Sequence, residues 1–498
     1  MSMTTRSKPR LLIVGLDGAT LDLIEPWAAA GDLPTFARLL RAGTSGRLHS
    51  VPNTSPGWAS FATGLNPANH GIFHASGWSN DRRHLRPMRG SDLQGRTVWR
   101  IASDAGRQVV VVNVPFTYPA EPINGILLAG ADAPAVDAPG FCYPPDYELD
   151  HYRIASRMSA ILKEHGPAAA QADAFAVDEC RTEVFIKALS QVDWDLAIVI
   201  YDLPDVAQHF FWRSIAAAAG DGRHAIRDSY CFIETQIEHL LAYTGHDTRL
   251  LILSDHGFGP LCATPQSLAE WLIQNNFLRV HGSTQTPWQQ RLTGQTYAWL
   301  RRRLNERGKE WLRRRLPGLR DHVESSVRFA GIDWPATTAY TGASSFEVWI
   351  NTQGREPHGS VAPGVEYDRV CRDLMTALLE WHDPVTHQPR VRAVHGRDEV
   401  YQGRYLDLAP DLTIEWNPAA APSPETISGN VSGFDGDHRP DGLLIAVGPE
   451  ICAGGQIHHA RIIDVAPTIL HWLGVPSSEP MDGRVLTTLF EPTEARQA

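Results

Sequence analysis

Five short apolar runs divide this chain: Leu11–Val14, Val109–Val114, Leu196–Tyr201, Leu250–Leu253 and Leu443–Val447. A segment that is apolar on both sides must be covered on both sides, so each run predicts a strand buried in a parallel sheet. Between them lie segments of helical period at Thr35–Ala42, Val98–Ala105, Ala174–Leu189, Ala225–Leu241, Tyr367–Trp381 and Ile462–Leu473. Strands alternating with helices predict an α/β fold with a mostly parallel sheet flanked by helices. The 498 residues are 43% hydrophobic and 20% charged, which excludes a wholly disordered chain.

Two regions break the alternation. Residues 281–332 carry no strand signal, and Arg301–Arg320 holds nine basic and two acidic residues within a chain of net charge -11. Tyr297, Leu300, Leu304 and Trp311 fall at helical spacing there, predicting an Arg-rich helical insertion, a candidate cap. Residues 354–400 mix a helix with Gly/Pro turns and read as a small peripheral lobe within a discontinuous catalytic domain, 10–280 and 333–490. The acidic balance argues against nucleic acid as a partner. No run approaches the roughly 18 apolar residues of a membrane span, so the expected compartment is the cytoplasm, without membrane attachment. The six cysteines are scattered and form no CxxC pair, which indicates neither a zinc ribbon nor a disulfide framework.

In open α/β sheets ligands bind beyond the carboxyl ends of the strands. The first run leads into Asp17-Gly18, the third into Asp202-Leu203-Pro204-Asp205 with His209 beyond, and the fourth into Ser254-Asp255-His256-Gly257. A late Gly436-Asp437-His438-Arg439-Pro440 precedes the fifth. Three strands therefore deliver Asp, or Asp with His, to one edge. Asp205 and His209, at i and i+4, share a face if that segment is helical. Carboxylate and imidazole without thiolate suit zinc, iron or manganese. Each pair alone is more commonly a turn former or a helix cap; their joint placement is what points to a metal site.

The candidate nucleophile lies in Asn53-Thr54-Ser55-Pro56-Gly57-Trp58. With Ser55 as N-cap and Pro56 in the first turn, a helix runs to Thr63 and stops at Gly64. Thr54 then sits where backbone N–H groups and the helix dipole favour an anion such as phosphate. A threonine hydroxyl is a poor nucleophile unless a metal holds it deprotonated. The common role of such a segment is capping alone.

In this order the motifs resemble the alkaline phosphatase superfamily, in its type I phosphodiesterase/nucleotide pyrophosphatase branch. The resemblance rests on Asp17-Gly18, Asn53-Thr54-Ser55-Pro56, Thr63-Gly64, His70-Gly71-Ile72, Pro204-Asp205 through His209, Ser254-Asp255-His256-Gly257, His438-Arg439-Pro440-Asp441-Gly442 and Asp464-Val465-Ala466-Pro467-Thr468-Ile469. It implies an alkaline-phosphatase-like fold with two divalent ions, usually zinc, with manganese or iron as alternatives. Asp205, His209 and His438 match the ligands of one ion, and Asp17, Asp255 and His256 those of the other. Thr54 matches the nucleophile of a covalent mechanism, with the Ser55 N–H as a further anion contact. The implied substrate is a phosphorylated small molecule, possibly a nucleotide, and phosphodiester or pyrophosphate cleavage is favoured over phosphomonoester cleavage.

One departure stands out. Nucleotide pyrophosphatases carry an Asp-Asn pair after His-Gly-Ile, whose Asn binds a phosphoryl oxygen. Here that place is His74-Ala75, which leaves His74, Trp58, Asn113 and Arg439 as candidates for the role. Formylglycine chemistry is disfavoured, because Thr54-Ser55-Pro56-Gly57-Trp58 lacks the Cys and Arg it needs. A phosphoryl transferase or mutase, and a non-catalytic binding protein on the same fold, are the competing readings.

Overall fold

The computed structural model describes residues 10–78, 85–149, 151–215, 224–245, 248–281, 331–342, 344–422, 427, 433–476 and 479–490. The chain separates into two compact units. One comprises Met1–Ile72, Arg89–Pro260 and Ser432–Ala498, and the other Phe73–Met88 and Leu261–Val431.

The larger unit is built on a nine-stranded sheet. Its order is Gly455–Arg461, Thr44–His49, Asp441–Val447, Arg249–Leu253, Leu11–Leu16, Leu196–Tyr201, Val109–Val114, Gly125–Ala129 and Cys142–Tyr143. The four strands from Arg249–Leu253 to Val109–Val114 run parallel, in register Leu11↔Arg249, Leu11↔Leu196 and Val109↔Leu196. Leu11–Leu16, Val109–Val114 and Leu196–Tyr201 are buried along their whole length. Side chains alternate between the faces of a strand, so the sheet divides two apolar layers. Leu12, Val14, Val110, Val112, Ala197 and Val199 pack into one, and Leu11, Ile13, Val109, Val111, Leu196 and Ile198 into the other.

The fifth apolar run differs from expectation in direction. Asp441–Val447 pairs antiparallel with both Thr44–His49 and Arg249–Leu253. Burial on both faces requires cover on both faces but does not set strand direction. Here the chain enters from a two-stranded ribbon, Gly257–Pro260 against Gly436–Arg439, beside the carboxyl ends of the parallel strands, and runs back from that edge.

The smaller unit holds a four-stranded antiparallel sheet, ordered Ala339–Tyr340, Glu347–Ile350, Leu412–Trp416 and Val391–Gly396. Helices Pro265–Gln274 and Val365–Leu379 contribute Leu268, Leu272, Leu374 and Leu378 to its core. Residues 354–400 fall inside this unit, which begins at Leu261 and takes in Phe73–Met88. Unit boundaries thus follow Pro260 and Ser432 instead of 280 and 333. The Arg-rich insertion lies almost wholly outside the described residues. Its two ends meet where Val280 bridges Ile332 and the His281 N–H donates to Gly331 O at 2.8 Å. No described helix is long and apolar enough to cross a membrane.

Candidate metal and phosphoryl-transfer site

Every predicted ligand sits in the larger unit, at the carboxyl edge of the parallel strands. Asp17 and Asp255 directly follow Leu11–Leu16 and, one residue on, Arg249–Leu253. Asp205 and His209 stand on one face of helix Leu203–Phe211, with Nε2 of His209 3.5 Å from Oδ1 of Asp205. His438 comes from the ribbon, where it pairs with Phe258. It reaches the edge because the strand that follows it is antiparallel.

The donor atoms converge. His438 Nε2 is 3.2 Å from Asp205 Oδ1 and 3.0 Å from His209 Nε2. His256 Nε2 lies 3.4 Å from Asp17 Oδ1, 3.5 Å from Asp255 Oδ2 and 4.0 Å from Asp205 Oδ1. Within this arrangement Asp17, Asp255 and His256 form one group, and Asp205, His256 and His438 a second. His209, Asp437 and His438 form a third. Asp437 adjoins a predicted ligand but was not itself singled out as a donor.

The remaining atoms of these side chains are tied down. Asp17 Oδ2 accepts from Trp58 Nε1 at 3.1 Å, and Asp255 Oδ1 from the Gly18 N–H at 3.3 Å. His209 Nδ1 and His256 Nδ1 face the carbonyls of Gly436 and Gly257 at 3.1 and 3.0 Å. A carbonyl can only accept, so both rings carry hydrogen on Nδ1 and, when neutral, present a lone pair at Nε2. For His256 that lone pair would face three carboxylate oxygens. Asp17 Oδ1, Asp205 Oδ1 and Asp255 Oδ2 are themselves buried without a hydrogen-bond partner. Lone pairs and orphaned anionic oxygens held together need a positive charge among them.

The titration behaviour follows. Burial alone would lower the His256 pKa, but Asp255, Asp17 and Asp205 outweigh it and raise it to about 10. Burial and the neighbouring Asp17 hold the Asp255 carboxyl well above its ordinary range. Asp205 is pulled below its ordinary range: burial opposes the shift, but His209, His438 and His256 overcome it. Burial, and then the charge of His256, lower His438. The chemistry of the donor set fits divalent cations, which would satisfy the orphaned oxygens and lone pairs together.

Thr54 opens helix Thr54–Thr63, and its Oγ1 is 3.0 Å from His256 Nε2. The cap is Asn53 and not Ser55. Asn53 Oδ1 accepts from the Ser55 N–H at 3.2 Å, so that N–H serves the cap. The cap lies two residues earlier than expected, which brings Thr54 into the helix itself. Gly57 allows the close approach of this helix to the ligands, since a Cβ there would stand 2.9 Å from the Asp255 Cβ. Gly18, at φ +66, makes the turn after Asp17 where a Cβ would meet the Phe258 ring at 3.1 Å and Asp205 Oδ1 at 3.2 Å.

The other proposed substrate contacts each have a structural partner. Trp58 is fully buried and orients Asp17, so it supports a ligand and does not line a pocket. Asn113, at φ 61, spends its Nδ2 on Ile200 O and Asp202 Oδ1, both at 3.0 Å. Only an acceptor oxygen is left, which a phosphoryl oxygen cannot pair with. Arg439 Nη1 donates to His438 O at 2.6 Å and Nη2 to Pro260 O, which secures the ribbon. His74 belongs to the smaller unit, where its ring pairs with Glu347. Two aromatic residues escaped sequence reasoning. Phe434 stacks on His209 at 4.3 Å, and Phe258 lies 4.9 Å from His209 and 5.5 Å from His438. Phe258 lies only two residues past His256, whereas Phe434 adjoins no other candidate closely enough to signal a role.

A carboxylate–imidazole cluster beside a helix-borne threonine, at the carboxyl edge of a mostly parallel sheet, defines the class of alkaline-phosphatase-like phosphoester hydrolases. The sequence profile of type I phosphodiesterase/nucleotide pyrophosphatase matches residues 11–423, and the chain belongs to that family. Among solved structures, murine ectonucleotide pyrophosphatase/phosphodiesterase 5 superposes with TM-score 0.52 at 13% identity, covering 97% of this chain and 100% of that one. Its inactive threonine-to-alanine variant in complex with AMP gives 0.53 at 12% identity, with the same coverage. Phosphonoacetate hydrolase from Sinorhizobium meliloti in complex with phosphonoformate gives 0.50 at 16%, covering 94% and 96%. At these identities the superpositions show the fold. No curated protein matches the sequence.

Proposed function

We propose that this enzyme cleaves phosphodiester or pyrophosphate bonds of a small phosphorylated substrate through a covalent phosphothreonine at Thr54. The observation that carries the reading is the 3.0 Å approach of Thr54 Oγ1 to His256 Nε2, amid three buried carboxylate oxygens without partners. Asp17, Asp255 and His256 would hold one divalent ion, and Asp205, His209 and His438 the other. Zinc is assigned from the O/N donor set, with manganese and iron as competitors. Such ions supply positive charge that acidifies a hydroxyl or a water and offsets charge on the phosphoryl oxygens.

Thr54 Oγ loses its proton and bonds to phosphorus as the leaving oxygen departs. Water then breaks the Oγ–P bond and restores the hydroxyl. The helix N-terminus holds Thr54 in place and favours the anionic substrate. The AMP carried by one structural neighbour supports a nucleotide-sized ester. The missing Asp-Asn pair argues against a copy of the nucleotide-specific contact.

Thr54→Ala tests the reading. Turnover of bis-nitrophenyl phosphate and of nitrophenyl phosphate should both fall at least 1000-fold, an order-of-magnitude expectation for loss of a nucleophile, with metal content unchanged. Retained turnover would remove Thr54 from the mechanism, and active protein free of divalent metal would remove the metal sites. Transfer of the phosphoryl group to an added alcohol in preference to water would favour the transferase reading.

A further inference from the structure

Arg181 is a fully buried cation of the larger unit, with 0% of its side chain exposed, and nothing in the reaction above uses it. It lies on helix Pro167–Gln191 and spans two acids. Nη1 donates to Asp178, one turn back on the same helix, and Nη2 to Asp202 Oδ2 at 3.0 Å and to Ile154 O at 2.7 Å. Both acids hold the start of helix Leu203–Phe211. Asp178 Oδ2 accepts from the Leu203 N–H at 3.3 Å. Asp202 is the N-cap residue of that helix, yet its side chain makes no capping bond. Its oxygens are turned instead to Arg181 and to Asn113 Nδ2.

An aspartate before a helix normally caps that helix by accepting one of its first backbone N–H groups. Here the capping bond is forgone, and a guanidinium and two carboxylates are taken out of water. A buried network of this kind is poor value as a source of stability, since apolar replacements are often neutral or stabilising. Its geometry does accomplish one thing. It fixes the strand Leu196–Tyr201, the strand end at Asn113 and the first turn of the helix carrying Asp205 and His209, all against one planar fork.

We infer that Arg181 is a positioning residue. Acting through Asp178 and Asp202, it sets the register and tilt of helix Leu203–Phe211, so that Asp205 Oδ1 and His209 Nε2 meet His438. The inference rests on the reading of Asp205, His209 and His438 as the donors of one divalent ion. Groups that orient metal donors typically change affinity 10–100-fold when lost.

The test uses zinc as the probe, on full-length wild type, Arg181→Lys, Arg181→Met and Asp202→Asn. Both zinc dissociation constants are measured by chelator competition, with thermal unfolding of each variant followed in parallel. Cobalt(II) substitution reports donor geometry in its visible spectrum. The expected result is one site weakened roughly 10–100-fold with an altered cobalt spectrum, the other site within about twofold of wild type, and Lys retaining more affinity than Met. Folded variants with both constants unchanged would overturn the inference, whatever their unfolding temperature. Asp202→Asn keeps the Arg181–Asp178 pair and decides alone if the Arg181 variants do not fold. Wild type that binds no zinc, manganese or iron refutes the metal reading itself, a result distinct from a variant that binds normally.

Discussion

Gly57→Ala adds one methyl group between the helix of Thr54, the proposed nucleophile, and Asp255, a proposed metal donor. The new Cβ would stand 2.9 Å from Asp255 Cβ, 3.1 Å from its carbonyl oxygen and 3.4 Å from Oδ2. Carbon atoms rest about 3.5–4.0 Å apart, so the helix and Asp255 must separate by roughly 0.6–1.1 Å. Asp255 is fully buried and follows a central strand, and every residue from Ser55 to Thr63 is buried, which leaves little room to yield. Alanine is worth about 1 kcal/mol over glycine inside a helix, while overpacking costs about 1–3 kcal/mol. The net change in stability is therefore small, about 0–2 kcal/mol of loss by these two terms. The chemistry suffers more, because a misplacement near 1 Å can cost about 100-fold. The expected outcome is kcat for bis-nitrophenyl phosphate down roughly 10–100-fold, with the unfolding temperature almost unmoved. Steady-state kinetics and differential scanning calorimetry on the same preparation check it. Wild-type kcat in a folded Gly57→Ala protein would refute the claim that this contact sets the place of Thr54.

Three further outcomes are expected. Trp58→Phe removes the N–H that Asp17 Oδ2 accepts, so zinc at one site should weaken roughly 10–100-fold in chelator titrations. Chelation should lower the unfolding temperature and zinc or manganese should restore it, each ion at 100 times its Kd contributing about 2.7 kcal/mol; calorimetry with and without metal reads this. His70, fully buried beneath the nucleophile helix with its Nε2 3.0 Å from Ser60 Oγ, has its pKa lowered to about 3, chiefly by burial. The unfolded chain then binds one more proton than the folded chain between about pH 6.5 and 3. Its stabilising contribution is complete above pH 6.5 and is lost as pH falls toward 3. Urea unfolding should show a slope with pH steeper in wild type than in His70→Gln, by up to about 1.4 kcal/mol per pH unit.

Much of the site was legible because strand ends are legible. Val109–Val114 and Leu196–Tyr201 begin and end where their apolar runs do, and the acids beyond Leu16, Tyr201 and Leu253 occupy the sheet edge. The i, i+4 pair Asp205 and His209 needed only a helix. What escaped was local competition and chain path. Asn53 and Ser55 are both good caps, and only the packed helix decides between them. Thr44–His49 and Gly455–Arg461 carry Ser, Arg, Gln and His in the outer part of the sheet, too polar to read as buried strands, and the second is interrupted by a bulge. The direction of Asp441–Val447 depends on the Gly257–Pro260 ribbon, which pairs residues far apart in sequence. Several substrate candidates already have structural partners. Donors such as Asn113 and Arg439 were already needed by nearby carbonyls and carboxylates.

The place of Asp441–Val447 also orders the events of synthesis. This strand lies between Thr44–His49 and Arg249–Leu253 and bonds to both. A nascent chain can therefore assemble the centre from Leu11–Leu16 to Val109–Val114 early, but Thr44–His49 has no neighbour on that side until residues 441–447 emerge from the ribosome. Until then Arg249–Leu253 is an open edge, and open edges invite pairing with other chains. A product truncated before Asp441 would lack this joining strand, and with it His438 when the cut falls earlier. Such fragments are expected to aggregate, and those that also lack His438 should, on the proposed donor sets, hold at most one divalent ion. On the proposed donor sets, completing the site that takes His438 and closing the sheet therefore fall close together in synthesis.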